Sequence, residues 1–65
     1  KMGKSLYAAR PLMAGTIISE QDIVLKSPGG GLPPYQMLEI IGRKLLTDLD
    51  EEALIQVDHL EEVAA

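Results

Sequence analysis

The chain has 65 residues, 46% of them hydrophobic and none of them cysteine, which predicts one small domain with an aliphatic core and excludes disulfide bonds, thiolate metal sites and a cysteine nucleophile. Its net charge is −4 and its six Lys and Arg residues lie scattered over residues 1–44, so we expect no nucleic acid partner, which would need a clustered basic face. No apolar run reaches the ~18 residues of a membrane span and no secretory leader is recognisable, so we expect a cytoplasmic protein without membrane contact.

The first half of the chain predicts three short strands and one helical turn. In chain order these are a strand at 5–10, a turn at 14–15, a strand at 16–18, a helical turn at 19–22 and a strand at 23–26. Pro11 ends the first strand because proline cannot donate to a sheet, and Thr16–Ile18 are β-branched residues that favour a pleated surface. Ser19 with Asp22 three residues later indicates an N-cap followed by an acidic first turn.

The second half predicts one helix among further extended segments. In chain order these are a helix at 34–41, an extended run at 43–49, a turn at 50–53, a strand at 54–56 and a helical turn at 57–63. Pro33–Pro34 suits a helix start, where a missing N–H costs nothing. Met37, Leu38 and Ile41 recur at helical spacing, and Gly42 suits the position just after the helix.

Four apolar positions recur 37 residues later in the chain. Leu12, Ile17, Ile18 and Ile23 are followed by Leu49, Leu54, Ile55 and Leu60. Gly15 aligns with Glu52 and Ser19 with Gln56, so the repeat is one of apolar spacing and not of identity, and a chance match is the alternative. A true repeat predicts two halves that each lack a complete core and bury their apolar faces against each other.

Three short motifs carry little functional signal. "MGKS" at residues 2–5 lacks the first glycine and the following helix of a phosphate-binding loop. "DLDEE" at 48–52 lacks the central glycine and final glutamate of an EF-hand and is better explained as a solvated acidic turn. His59, the only histidine, has no partners for a catalytic constellation, so we expect a surface or helix-end role.

The most unusual segment is "KSPGGGL", Lys26–Leu32, which is followed by two more prolines. Glycines let another surface approach the main chain closely, and prolines stiffen the ends of a loop. The segment is either a wide connecting turn or a backbone-rich edge held against a ligand or partner, with Lys26 and Ser27 beside it.

The ordered set of these pieces, "KSLYAARPLMAGTIISEQDIVLKSPGGGLPPYQMLEIIGRKL", resembles the C-terminal SAF, or antifreeze-like, domain of bacterial sialic acid synthases. The resemblance covers nearly the whole chain. It implies a mostly β fold with short helices, the β-clip, with an internal pseudo-twofold. It also implies three parts: residues 1–4 as a linker remnant from a preceding catalytic domain, 5–63 as the SAF domain and 64–65 as a tail.

The resemblance also implies a function for the parent protein. Such synthases condense phosphoenolpyruvate with an N-acetylated hexosamine, N-acetylmannosamine in the type case, in an N-terminal TIM barrel that holds a divalent metal, manganese or magnesium. The SAF domain acts there as a lid over the active site of the other subunit in a domain-swapped homodimer. We therefore expect the isolated domain to be non-catalytic and to hold no cofactor or metal.

The resemblance places the substrate-binding residues in the glycine-rich segment: Lys26, Ser27, Pro28, Gly29, Gly30, Gly31 and Leu32. Well-known bacterial members carry an arginine immediately before the Pro-Gly of this loop, where it meets the acylated amine of the sugar. Ser27 stands there in this chain. Either Lys26 and backbone N–H groups substitute for the guanidinium, or a different sugar is handled.

Two other functional classes share the fold. Fish type III antifreeze proteins need a flat, weakly polar face at the segment matching Thr16–Asp22, and the hydrated side chains of Glu20, Gln21 and Asp22 would interrupt that face. SAF modules also resemble parts of sugar-acid dehydratases and pilus assembly proteins, which are a third alternative.

Overall fold

The computed structural model of the protein describes residues 3–62, and no helix in that stretch is long and apolar enough to cross a membrane. The start of the predicted linker, at residues 1–2, the end of the last predicted helical turn, at 63, and the predicted tail at 64–65 lie outside the described residues. The elements are strands β1 (Ser5–Ala8) and β2 (Ile23–Lys26), helix α1 (Met37–Ile40) and 3-10 turns at Glu20–Asp22, Pro34–Gln36 and Val57–His59.

Strands β1 and β2 form a two-stranded antiparallel sheet. The register runs from Ser5 opposite Lys26 to Ala8 opposite Ile23. The prediction of β2 is confirmed at both ends, whereas β1 ends at Ala8 and not at Arg10. Arg10 leaves the strand because its guanidinium turns to the buried carboxylate of Asp22, with Nη2 2.5 Å from Oδ1.

The strands predicted at 16–18 and 54–56 are wrong as strands, and the extended run predicted at 43–49 is interrupted by a bend at residues 46–47. Each contributes only isolated bridges, which are Tyr7–Leu54, Leu12–Leu49, Ile17–Lys44 and Leu45–Leu60. The physical reason is that each pairing is too short to form a ladder: residues 15–18 run antiparallel to residues 42–45 and form a single bridge. Gly15 N donates to Leu45 O, while Ile18 N donates to Arg43 O.

The helix prediction at 34–41 is confirmed, with a tighter first turn. The chain begins as a 3-10 turn at Pro34 and continues as α1 to Ile40. Gly42 follows with a φ of +95°, as expected for the residue that ends a helix in the left-handed region. Its N–H donates to Ile18 O at 2.8 Å, which fastens the helix end to the first half of the chain.

The two halves are related by a pseudo-twofold axis with the 37-residue offset that the sequence predicts. The 3-10 turns Glu20–Asp22 and Val57–His59 are equivalent positions, as are the bridges Tyr7–Leu54 and Lys44–Ile17. Leu12 and Leu49 are each other's equivalents, and each donates its N–H to the other's carbonyl at 2.8 Å. This reciprocal pair therefore lies on the axis.

The core lies between the two halves. Its buried residues are Leu6, Ala8, Leu12, Ile18, Ile23, Ile40, Leu45, Leu49, Ile55 and Leu60. Six of the eight repeat positions are among them. The exceptions are Leu54, which is half-buried, and Ile17, which is 55% exposed.

Gly15 provides a test of the turn that starts the first repeat. Its φ is +94°, and a Cβ built there meets no atom within 4 Å, so only backbone strain opposes a side chain. We expect Gly15→Ala to lower the free energy of unfolding by about 1–2 kcal/mol, measured by urea denaturation. Gly3→Ala, which has equal space and no positive φ, is the matched control. Equal stability of the two variants would contradict a left-handed Gly15.

Candidate functional site

The glycine-rich segment folds as a loop that leaves β2 and lies against β1. The Tyr7 hydroxyl donates to Pro28 O at 2.8 Å, near the beginning of the loop. At its other end, Leu6 N donates to Leu32 O at 3.1 Å. The loop is thus anchored at both ends by neighbouring residues of one strand.

The middle of the loop is fixed by a buried serine. Ser5 is fully buried, and its Oγ accepts the Gly31 N–H at 2.9 Å. Gly31 also packs closely on Leu54, since a Cβ at position 31 would lie 2.6 Å from Leu54 Cδ1. Any side chain at position 31 would therefore have to displace Leu54, which favours glycine there.

The outer edge of the loop is accessible. Ser27, Pro28 and Gly30 are exposed. Within residues 3–62, neither Gly29 N nor Gly30 N donates a hydrogen bond. These two amides are donors that a polar ligand could use, because their positions are set by the anchored ends of the loop.

Lys26 begins the loop and is held by an ion pair. Its Nζ lies 3.0 Å from Glu52 Oε1, with 37% and 63% of the two side chains exposed. An exposed ion pair of this kind contributes at most about 1 kcal/mol to stability. The pair therefore orients the Lys26 ammonium group but is weak enough for the group to exchange Glu52 for a ligand. Glu52 itself has a φ of +68° and occupies the position equivalent to Gly15.

A shallow cavity of about 210 Å³ lies beside the loop, lined by Gly30–Leu32 from one half and by Gln56 and Val57 from the other. Tyr35 and Leu38, one helical turn apart after the loop, are 80% and 83% exposed. Exposed large apolar side chains this close together are typical of a contact surface. No pattern in the sequence predicts that Gln56 and Val57 lie at this site.

The seven predicted residues, Lys26–Leu32, form one loop in which Ser27, Pro28 and Gly30 are exposed and the other four are half-buried, but sequence reasoning missed the residues that anchor this loop. Ser5 and Tyr7 supply side-chain anchors. A serine at the start of a short strand is usually exposed, so the burial of Ser5 depends on tertiary packing that local patterns do not encode. Its place in the motif, just before an apolar run, was the one available signal.

Asp22 was expected to present a hydrated side chain, and that expectation is wrong. It is only 1% exposed, and its carboxylate accepts hydrogen bonds from Ser19 N, Ser19 Oγ and Arg10. Burial raises the pKa of Asp22, but the backbone N–H of Ser19, the Arg10 guanidinium and the Ser19 hydroxyl outweigh it and hold the pKa below its ordinary value. Glu20 and Gln21 remain exposed on this face.

His59 has the helix-end role that the sequence predicts. Its Nδ1 accepts the Gln56 N–H at 3.1 Å, at the position equivalent to that of Asp22 in the first half. Among residues 3–62, no cluster of three or more His, Asp or Glu side chains is placed to hold a metal ion.

Comparison with known proteins identifies close resemblances. Residues 3–61 match the family model described as the SAF domain. The N,N'-diacetyllegionaminic acid synthase of Legionella pneumophila is 31% identical over 58 residues, which are 89% of this chain and 16% of that protein. The chain thus spans about a sixth of the curated relative that it matches.

A solved structure gives the same architecture. The solution structure of the antifreeze protein-like domain of human N-acetylneuraminic acid phosphate synthase superposes with a TM-score of 0.88 at 24% identity, covering 95% of this chain and 78% of that one. The predicted mostly β antifreeze-like fold is confirmed. At this identity the likeness establishes the fold and not the activity.

The packing of Gly31 on Leu54 can be tested by a double-mutant cycle. We expect Gly31→Ala to lower the free energy of unfolding by about 1–3 kcal/mol, because the new methyl group displaces Leu54. Combined with Leu54→Ala, the added cost of Gly31→Ala should fall by at least ~0.5 kcal/mol. Strictly additive effects in urea denaturation would contradict the contact.

Asp22 predicts a specific acid sensitivity. Since its pKa in the folded state lies below the ordinary 3.8, its contribution is present above that pH and is lost as the pH falls through the lower, folded value. We expect Asp22→Asn to lower the free energy of unfolding at neutral pH by about 1–2 kcal/mol. The difference from the wild type should shrink below pH 3.8. A difference independent of pH would contradict a charged Asp22.

Proposed function

The chain belongs to the SAF domain family, and on that premise we propose that it is the substrate-covering C-terminal domain of a nonulosonic acid synthase. The parent enzyme condenses phosphoenolpyruvate with an N-acetylated hexosamine in a preceding TIM barrel. The domain does no chemistry itself. It excludes water from the barrel of the other subunit and completes the sugar pocket, within a domain-swapped homodimer in the cytoplasm.

The observation that carries this proposal is the anchoring of the glycine-rich loop. Three hydrogen bonds, one accepted by Ser5 and two donated by Leu6 and Tyr7, fix residues 28–32 on β1. The amides of Gly29 and Gly30 find no acceptor within residues 3–62. A lid must present donors in fixed positions without reorganising when the substrate arrives, and this loop meets that requirement.

The exposed pair Tyr35 and Leu38 supports docking on a larger body. An isolated domain gains nothing from two nearly uncovered apolar side chains directly after its functional loop. Against the rim of a barrel, the pair would bury apolar surface and set the depth of the loop over the substrate. Any divalent metal belongs to that barrel, because residues 3–62 offer no donor cluster for it.

The substrate class follows from the donors at the loop. Ser27 cannot supply the charge or reach of an arginine, so we assign recognition of the sugar's acylamino group to Lys26 and to the Gly29 and Gly30 amides. The curated relative makes N,N'-diacetyllegionaminic acid. We therefore include diacetamido sugars with N-acetylmannosamine among the candidate substrates.

Lys26 provides the kinetic test in the full-length enzyme. Since a charge-assisted hydrogen bond to the sugar is lost in Lys26→Ala, we expect KM for the sugar to rise about tenfold with a smaller change in kcat. Glu52→Gln is the matched control, because it removes the partner of Lys26 at 3.0 Å but keeps the ammonium. An unchanged KM and kcat in Lys26→Ala would remove Lys26 from the site.

A further inference from the structure

A second groove, distant in sequence from the loop, has no role in the proposed function. It encloses about 410 Å³ and is lined by Ile17, the 41–44 segment and Glu61–Glu62. The groove follows the isolated bridge between Ile17 and Lys44. The pseudo-twofold relates this bridge to the bridge between Tyr7 and Leu54, so the groove has an equivalent place in the other half of the chain.

The equivalent place in the other half is filled by the chain itself. At the 37-residue offset, Ile17 corresponds to Leu54, Arg43 to Leu6 and Lys44 to Tyr7. The glycine-rich loop covers all three of these counterparts. Its Gly31 packs on Leu54, its Leu32 carbonyl accepts from Leu6 N, and its Pro28 carbonyl accepts from Tyr7 Oη.

The groove keeps two of the three groups that make these contacts, since the counterpart of Leu6, Arg43, already donates its N–H to Ile40 O at 3.1 Å. Leu54 is half-buried beneath Gly31, whereas its counterpart Ile17 is 55% exposed. Lys44 is exposed and forms no salt bridge within residues 3–62, so its ammonium can donate where the Tyr7 hydroxyl donates. An apolar platform and a side-chain donor are thus present on both sides of the axis.

Arg43 supplies an independent sign of an occupant. It lines the groove, and its Nε is buried without a hydrogen-bond partner in the described part of the chain. A buried unpaired donor is unfavourable, and that cost is removed when the Arg43 side chain turns toward an acceptor brought into the groove. Backbone carbonyl groups are such acceptors.

We propose that this groove binds an extended, small-residue segment of a partner polypeptide, in the manner in which the glycine-rich loop lies on the other half. A glycine of the segment packs on Ile17, and one of its carbonyl groups accepts from Lys44. The walls carry both Arg43–Lys44 and Glu61–Glu62, so an uncharged main chain suits them better than a strongly charged ligand. The inference stands whether or not the chain is part of a synthase.

The probe is an acetylated and amidated peptide with the sequence of the chain's own loop, Ser-Pro-Gly-Gly-Gly-Leu-Pro, residues 27–33. It is titrated into the isotope-labelled full chain and followed by amide chemical shifts. We expect saturable shift changes at Ile17, Gly42 and Lys44. The matched control peptide has valine in place of its third glycine, the one that packs on Leu54 in the loop, and should bind at least tenfold more weakly.

Ile17→Glu is the matched protein control, because this exposed side chain can be changed without altering the core. Its peptide affinity should fall at least tenfold, while its amide spectrum stays that of a folded chain. No saturable change at millimolar peptide would overturn the proposal. Equal binding by Ile17→Glu, or changes confined to β1 and the loop, would overturn it as well.

Two further results would assign the groove to a different occupant and also overturn the proposal. Concentration-dependent shifts of Ile17 and Lys44 without peptide would identify a second copy of the chain. Peptide binding that requires deletion of residues 63–65 would identify the chain's own C-terminal residues. Neither dependence is expected for a partner segment.

Discussion

The reciprocal hydrogen bonds between Leu12 and Leu49 are the constraint on which the structure depends. They join the two repeats at the pseudo-twofold axis, each N–H meeting the other carbonyl at 2.8 Å. Neither repeat has a sheet or helix large enough to bury its own apolar side chains. Because the chain has no cysteine to staple it, stability comes from two halves that cover each other.

This mutual covering explains why the site is a loop and not a strand or helix. Within residues 3–62, β-pairing consists of one antiparallel strand pair and four isolated bridges, and none of them includes residues 27–32 of the glycine-rich loop. The loop gains rigidity from β1 instead, through a buried serine, a tyrosine hydroxyl and a backbone amide. These contacts use the Gly31 amide and the Pro28 and Leu32 carbonyls, so the amides of Gly29 and Gly30 stay available. The equivalent place in the other half of the chain has no such loop, and the groove beside Ile17 lies there.

The sequence predicted those elements of the fold that depend on residues close together in the chain. The helical turn after Ser19, strand β2 and the helix from Pro34 to the glycine at 42 depend on capping, β-branching and proline at neighbouring positions. The strand at 16–18 failed because its pairing depends on Arg43 and Leu45, which lie far away in the sequence. Its β-branched residues favour extended backbone, which is only part of what a strand requires.

The candidate site divides in the same way. The composition of Lys26–Leu32 indicated an unusual loop, because glycine and proline favour backbone conformations that other residues rarely adopt. It could not identify Ser5 and Tyr7 as anchors, or the burial of Asp22 against Arg10, since each depends on a tertiary contact. The sequence could not predict the exposure of Ile17 either. An apolar repeat position indicates burial, and Ile17 is exposed because no loop lies on it as Gly31 lies on Leu54.

The most direct test of the lid is amide hydrogen exchange in the full-length protein, with and without phosphoenolpyruvate and the N-acetylated sugar. The account predicts that bound substrate slows exchange at Gly29 and Gly30, whose amides are unpaired within residues 3–62, and leaves Gly42 in the distant groove unchanged. Protection of the preceding domain with no change at Gly29 and Gly30 would contradict it.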